Sequence, residues 1–492
     1  MGKKFYITTA IDYVNGRPHI GHALEKIQAD VLARYHRLKG DDVFFLTGTD
    51  ENAQKNVLAA KEAGMPVFDF VAQNADIFKD LAKNLNISND DFIQTAIDKQ
   101  RHWPGVVRLW DECKKSGDIY KKNYEGFYCV GCEAFLTEKD LTEDGLCPEH
   151  LKAPEKVVEE NYFFRLSKYQ AQLEKLIAND ELRVVPEQRK NEVLSFIRSG
   201  LEDFSISRSA ERMKNWGVPV SGDETQIVYV WMDALSNYIT ALGYGGKDDS
   251  LFKKYWPADV HTIGKGITRF HAVFWPAMLL SAGVELPKTI FVHEYITVDG
   301  QKMSKSLGKV IDPIELVEKY GTDPVRYFFL REISPFHDGD FSYQRFEQRY
   351  NADLANGLGN LVSRVLTLAE KAFAEKEVEY GPDKEFSALF QETKKNFEAK
   401  MEEFKFNEAI AVIWDLIGHC DQYVDKERPW EKEDNEQILK NLLVALFQVA
   451  LLLQPFLPET ANKIFSRLGV KPEDKFWRFK IKKSKALFPR LE

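Results

Sequence analysis

Apolar residues recur along this chain with two different periods, and the change of period divides it. Over 3–10 the apolar run Phe5-Tyr6-Ile7 is continuous, as in a strand covered on both faces, and 11–18 follows as a loop with a turn at Asn15-Gly16. Over 22–38 the positions Leu24, Ile27, Val31, Tyr35 and Leu38 fall three or four apart, which predicts an amphipathic helix closed by Gly40 as a C-cap. Residues 43–46 read as a second strand. Strand, loop, helix and strand in this order form a βαβ unit, and in parallel open sheets ligands sit at the carboxyl ends of the strands. His19, Gly21, His22 and Asp50 all fall at those ends.

The same alternation returns later, with strand-like 227–230 and 260–263, a helix through 270–280 and strand-like 289–292. The intervening stretch differs in character, carrying cysteines and the polar run 138–145. From residue 351 the helical period takes over, at 352–373, 386–403, 407–424 and 435–453, which predicts an appended bundle. The expected fold class is therefore α/β. A Rossmann-like parallel-sheet domain, its halves at 1–116 and 227–325, is split by a connective insert at 117–226 and followed by a linker at 326–350 and an α-helical domain at 351–492.

Composition narrows the function classes. A chain of 492 residues with 44% hydrophobic content can bury two or three cores. The opening Met1-Gly2-Lys3-Lys4-Phe5 runs straight into a strand, so no leader is expected. The longest apolar stretch, 442–453, is interrupted by Gln448 and is expected to be too short for a bilayer, giving a cytoplasmic protein without a membrane partner. The net charge of -9 speaks against non-specific coating of nucleic acid and leaves only local basic surfaces for a polyanion. Three of the five cysteines fall between 129 and 147, a pattern of a reducing compartment and a metal rather than disulfides.

The chemistry concentrates in four places. Pro18-His19-Ile20-Gly21-His22 opens a helix, where backbone N–H groups already favour anions and glycine permits close approach of a nucleotide. Four residues alone would equally describe two capping histidines. Lys302-Met303-Ser304-Lys305-Ser306 follows a turn at Asp299-Gly300, and lysines three apart can aim two ammoniums into one site. Alone it would be a solvated run, but the two motifs together, in this order across a split α/β domain, fit adenylyl transfer. That reaction needs donors on the reacting phosphate and cations on the departing pyrophosphate, so the imidazole pair and the ammonium pair are expected to flank one crevice. Cys129-x2-Cys132 with Cys147-x2-His150 has the spacing of a closed tetrahedral zinc site, structural because no coordination position stays open. Cys113 and Cys420 lie on helical patterns as core residues. Finally, the groups 10–13, 231–238 and 267–271 are aromatic and polar enough to build a pocket, although such spacings also describe ordinary core.

Read jointly, these words resemble the class I aminoacyl-tRNA synthetases, and among them the methionyl-tRNA synthetase family, nearly end to end. The resemblance is carried by Tyr13-Val14-Asn15-Gly16, Gly48-Thr49-Asp50-Glu51, the four metal ligands, Val230-Trp231-Met232-Asp233-Ala234, Phe270-His271, Phe274-Trp275-Pro276-Ala277-Met278, Val298-Asp299-Gly300-Gln301 and Asn351-Ala352-Asp353-Leu354-Ala355-Asn356. It implies a ligase that activates L-methionine with ATP and Mg2+ to methionyl adenylate and pyrophosphate, then charges initiator and elongator methionine tRNAs for translation. Asp50 and the backbone near Ile11 would hold the ammonium, with Ala10, Tyr13, Trp231, Ala234, Tyr238, Ile267 and His271 around the side chain. His19, Gly21, His22, Lys302, Ser304 and Lys305 would serve ATP, and His19, His22, Lys302 and Lys305 the chemistry. Asn360, Arg364 and Trp430 would read the anticodon as unstacked bases. One structural Zn2+ per chain and a monomer are expected. The chain departs from the family's wording at Asn52-Ala53, Lys265-Gly266, Glu294 and Lys309, all near the nucleotide. Two other readings share the main motifs: a sister synthetase for leucine, isoleucine, valine or cysteine, and a catalytically silent tRNA-binding relative.

Overall fold

The computed structural model describes residues 2–131, 134–136, 138–148, 151–302, 310–373, 378–380, 383–473, 477–482 and 485–491. These residues group into two compact units. The first comprises Met1–Pro18, His36–Lys83 and Ser88–His293, and the second His19–Tyr35, Asn84–Ile87 and Glu294–Glu492.

The first unit is built on a seven-stranded sheet. Its order is Asp12–Tyr13, Asp42–Asp50, Lys4–Thr9, Val260–Gly264, Thr289–His293 and Arg183–Val185, with Asp91–Gln94 also paired to Asp42–Asp50. Every pairing is parallel, Tyr6 lying beside Phe44 and Ile7 beside Val260. Continuous apolar runs suit strands buried on both faces, and Phe5 to Thr9 are all buried. Trp110, Tyr238 and Trp275, from the helices Lys99–Lys115, Val230–Thr240 and Trp275–Ala282, fill one core.

Three details differ from the sequence reading. Residues 227–230 are not a strand of the main sheet. Asp223–Val228 pairs antiparallel with Ser207–Ser209 and Pro219–Val220, and Val230 already opens a helix, because the β-branched run is apolar for burial at a strand-to-helix joint. The stretch 117–226 is not wholly separate from the sheet either. It holds the antiparallel pair Ile119–Cys129 and Glu155–Phe164, but Arg183–Val185 returns as a strand parallel to Thr289–His293. A strand of three residues leaves no period to read. The helix expected over 270–280 starts as a π-helical turn, Phe270–Phe274, before becoming α-helical at Trp275–Ala282.

The second unit is mainly helical, with Asn360–Phe373, Lys384–Glu402, Phe406–Glu427, Glu436–Leu453 and Pro458–Leu468 at or near the expected positions. Glu436–Leu453 is long and apolar enough to cross a membrane by composition, contrary to the expectation from length. Two thirds of it is buried in the unit, and Leu439, Leu442, Leu443 and Leu446 face its core, so bundle packing accounts for the composition. Arg326, wholly buried, ties this unit together. Its guanidinium pairs with Asp30 at 2.7 Å and donates to the carbonyls of Leu85 at 3.1 Å, Pro455 at 2.9 Å and Phe456 at 2.7 Å. Asp30 lies on Ile20–Leu38, the helix that the histidine motif opens.

Candidate functional site

The histidine motif sits where the helix Ile20–Leu38 begins, two residues earlier than its apolar period indicates. His19 Nδ1 accepts the N–H of Gly21 at 3.1 Å, and His22 Nδ1 accepts the N–H of His19 at 3.0 Å. Each ring therefore carries its proton on Nε2 and presents a donor there. The rings stack with centroids 3.8 Å apart. One nitrogen of each ring thus satisfies a backbone N–H at the helix start, so the capping reading of the two histidines holds.

A second set of residues closes on a small cavity in the first unit. Its walls are Ala10, Ile11, Tyr13, Asp50, Trp231, Ala234, Leu235, Tyr238, Ile267 and His271. All nine residues assigned to an amino acid from the sequence meet there, and Leu235 joins them. Helix Val230–Thr240 explains the addition, since 231, 234, 235 and 238 are one face of an α-helix. Trp231 stacks on Phe270, with centroids 3.8 Å apart and planes within 4°, and meets Tyr13 and His271 edge-on. The π-helical turn carries Phe270 and His271, a local widening often found at binding sites. His271 Nδ1 donates to the Ile267 carbonyl at 3.0 Å, which leaves Nε2 to accept the Tyr238 hydroxyl at 2.7 Å. Behind them His261 stacks on Tyr238 and is held well below the usual histidine pKa, first by burial and then by His271.

Asp50 is the one carboxylate of the cavity wall and ends the strand Asp42–Asp50. Burial first, then the neighbouring Asp233 and Glu51, push its pKa well above the carboxylate range, against Lys55 and the N–H of Asn52. A buried carboxyl poised this way gains most from a ligand cation, which restores the charged form. Glu51 points elsewhere, to Thr49, Thr95 and the N–H of Ala96, and burial raises it to about 8 despite those donors.

The remaining candidates divide. Asp299 and Gly300, both with positive φ, form the two-residue turn of a hairpin between Ile296–Val298 and Gln301–Lys302. Asp340 Oδ1 fixes it by accepting the Gly300 N–H at 2.7 Å and the Thr297 hydroxyl at 2.6 Å. The backbone of Lys302 ends this hairpin, whereas Ser304 and Lys305 lie outside the described residues. Cys129 pairs antiparallel with Ala134, and the Cys147 carbonyl accepts the Leu151 N–H at 2.7 Å. Both thiols are buried, while Cys132 and His150 lie outside the described residues. Cys113 and Cys420 are buried in helices, with burial raising each thiol to about 12, as suits inert core cysteines.

In the second unit, Arg364 and Trp430 come together. The guanidinium lies 5.0 Å from the indole centroid and bonds Asp425 at 2.7 Å. Arg428, in the left-handed region, ends Phe406–Glu427 and turns the chain so that Trp430 stays 47% exposed. Asn360, exposed at the start of Asn360–Phe373, is one helical turn from Arg364 and shares its face.

Comparison with known proteins gives a consistent picture. The family model "tRNA synthetases class I (M)" matches residues 5–157 and 150–366, and "Anticodon-binding domain of tRNA ligase" matches 383–486. A methionine-tRNA ligase from Caldanaerobacter subterraneus is 42% identical, with 100% of this chain and 80% of that protein covered. One from Thermotoga maritima is 45% identical, covering 95% of this chain and 75% of that protein. Among solved structures, the Mycobacterium tuberculosis methionyl-tRNA synthetase in complex with methionyl-adenylate superposes with a TM-score of 0.94 at 39% identity, covering 99% of this chain and 100% of that one. Its apo form gives 0.86 at 36% identity, covering 100% of this chain and 99% of that one.

Proposed function

The chain belongs to the methionine-tRNA ligases, class I tRNA synthetases, and from that premise we propose how its residues divide the reaction. The apolar cavity takes the methionine side chain, with Trp231, Tyr13 and His271 around the thioether, for which sulfur–ring contacts are favourable. Asp50, with the Ile11 backbone, receives the ammonium. The methionine carboxylate attacks the α-phosphate of ATP, forming the acyl–phosphate bond while the bond to pyrophosphate breaks. His19 and His22 donate from Nε2 to the phosphate whose charge develops, beside Gly21, and Lys302, Ser304 and Lys305 take the charge of the leaving pyrophosphate. The adenylate then passes methionine to the terminal ribose of a methionine tRNA, releasing AMP. Asn360, Arg364 and Trp430 read the anticodon, supported by an exposed indole beside a guanidinium, a pairing suited to stacking on unpaired bases.

Mg2+ accompanies ATP and neutralises the triphosphate when bound. Zn2+ held by Cys129, Cys132, Cys147 and His150 would rigidify the insert. The buried thiols of Cys129 and Cys147 suit such a donor set. We further propose a monomer acting in the cytoplasm.

The observation that carries this reading is the convergence of nine sequence-distant residues on one aromatic cavity with a single buried carboxylate. Pyrophosphate exchange into ATP, run with each amino acid in turn, tests it. Methionine alone should stimulate exchange. Equal stimulation by leucine, isoleucine, valine or cysteine would assign the cavity to a sister specificity, and silence with all would leave a tRNA-binding relative.

A further inference from the structure

We propose that Asn52 and His102 are positioning residues for the amino group of methionine: Asp233, oriented by His102, anchors the Asn52 side chain, and the Asn52 backbone N–H holds the Asp50 carboxylate in the orientation that receives an ammonium. The inference rests on the reading of the cavity as the methionine site.

A continuous buried line of hydrogen bonds carries the argument. Asp50 Oδ1 accepts the backbone N–H of Asn52 at 3.2 Å. The Asn52 side-chain amide donates to Asp233 Oδ2 at 2.7 Å, so this residue is clamped at both ends. Asp233 Oδ1 meets His102 Nε2 at 2.9 Å, and His102 Nδ1 meets Thr240 Oγ1 at 2.7 Å. None of Asn52, His102, Asp233 and Thr240 exceeds 3% exposure. In such a low-dielectric setting a polar group keeps its orientation because losing a partner leaves it unsatisfied.

The helices are shaped for this line. Asp233, Asn237 and Thr240 form a second stripe on Val230–Thr240, distinct from the stripe of Trp231, Ala234 and Tyr238 that lines the cavity. His102 comes from Lys99–Lys115. One turn further on, Gly105 lets the two helices touch: a Cβ there would lie 2.4 Å from Thr240 Cγ2 and from the Tyr244 carbonyl. The same helix therefore presents the aromatic wall on one side and steers the carboxylate on the other. Asn52 is what joins the two functions, since its backbone N–H donates to one buried acid, Asp50, and its side-chain amide to the other, Asp233.

A helix-to-helix staple with no role in binding would weaken every ligand alike, and this separates the two roles. The measurements are the KM for methionine in pyrophosphate exchange and the inhibition constant of 4-(methylthio)butanoate, which keeps the side chain and carboxylate but lacks the amino group. Asn52→Ala is expected to raise the methionine KM about tenfold while the inhibitor constant stays within about twofold. His102→Ala should act in the same direction, and His102→Gln, which can still donate to Asp233, should restore most of the loss. Should Asn52→Ala fail to fold, as read by its melting curve, Asn52→Ser carries the same comparison. Parallel loss of both ligands, or no loss of either, overturns the proposal. Asp50→Asn separates this from the underlying reading: an unchanged methionine KM there removes the methionine site itself, whereas a raised one with Asn52→Ala silent removes only the positioning role.

Discussion

The Tyr238 hydroxyl donates to Nε2 of His271, whose other nitrogen donates to the Ile267 carbonyl, so the tautomer at the end of the cavity is fixed from both sides. Tyr238→Phe leaves a buried acceptor without its donor and frees the imidazole to turn. We expect a three- to tenfold rise in the methionine KM, about 1 kcal/mol, with little change in kcat. Steady-state pyrophosphate exchange at saturating ATP measures it.

Asp50 sets a pH dependence whose sign follows from its environment. Burial, Asp233 and Glu51 favour the neutral carboxyl, so below its raised pKa the ammonium lacks a counter-charge. The methionine KM should fall as pH rises through that pKa and then level off. Asp50→Asn should show a high KM with this limb flat. Profiles from about pH 5 to about pH 9 decide the matter, and a slope surviving in Asp50→Asn would assign it to another group.

Arg364 and Trp430 should matter to tRNA and not to activation. Trp430→Ala removes the exposed stacking surface, worth about 1 to 3 kcal/mol per base, and should lower kcat/KM for aminoacylation by tenfold or more. Methionine-dependent pyrophosphate exchange should be unchanged. Loss of both would point to unfolding of the bundle instead.

The hairpin that carries Lys302 depends on one carboxylate. Asp340→Ala deletes the acceptor of the Gly300 N–H and leaves the Thr297 hydroxyl only the Gly339 carbonyl at 3.0 Å. The expected outcome is a kcat for exchange about tenfold lower with the methionine KM unaffected, as the proposed action of the lysines on the departing pyrophosphate, and not on the amino acid, requires.

The zinc proposed for Cys129, Cys132, Cys147 and His150 would make metal part of the folding free energy of the insert. Elemental analysis should find stoichiometric zinc in the wild type and not in Cys129→Ser. A chelator should lower the melting temperature of the former far more than of the latter.

What the sequence revealed, and what it hid, follows the range of each signal. The helices of residues 351–492 were legible because their apolar period extends over many turns. The cavity wall was legible only through resemblance, although 231, 234, 235 and 238 spell one helical face; the β-branched residues before Trp231 masked the change of period, and Leu235 was missed with it. The π-helical turn at Phe270–Phe274 leaves no trace in a reading based on 3.6 residues per turn. His102 could not have been found, since its partner Asp233 is 131 residues away and nothing local marks either as half of a pair. Arg183–Val185 was too short to read and lay in a stretch whose cysteines suggested another architecture.

Arg326 bears on where this chain can be cut. It stands at the border between the second catalytic half and the linker as drawn from the sequence, yet its charge is neutralised by the histidine-bearing helix and two of its other hydrogen bonds go to carbonyls just after Glu436–Leu453. A fragment stopping before the C-terminal helices would keep the Asp30 pair but leave two guanidinium donors without their carbonyl acceptors, and each buried donor left unsatisfied costs about 1 to 3 kcal/mol. The helix that the histidine motif opens therefore shares one buried guanidinium with the C-terminal helices, and a fragment without them would have to be redesigned at position 326 before it could be excised.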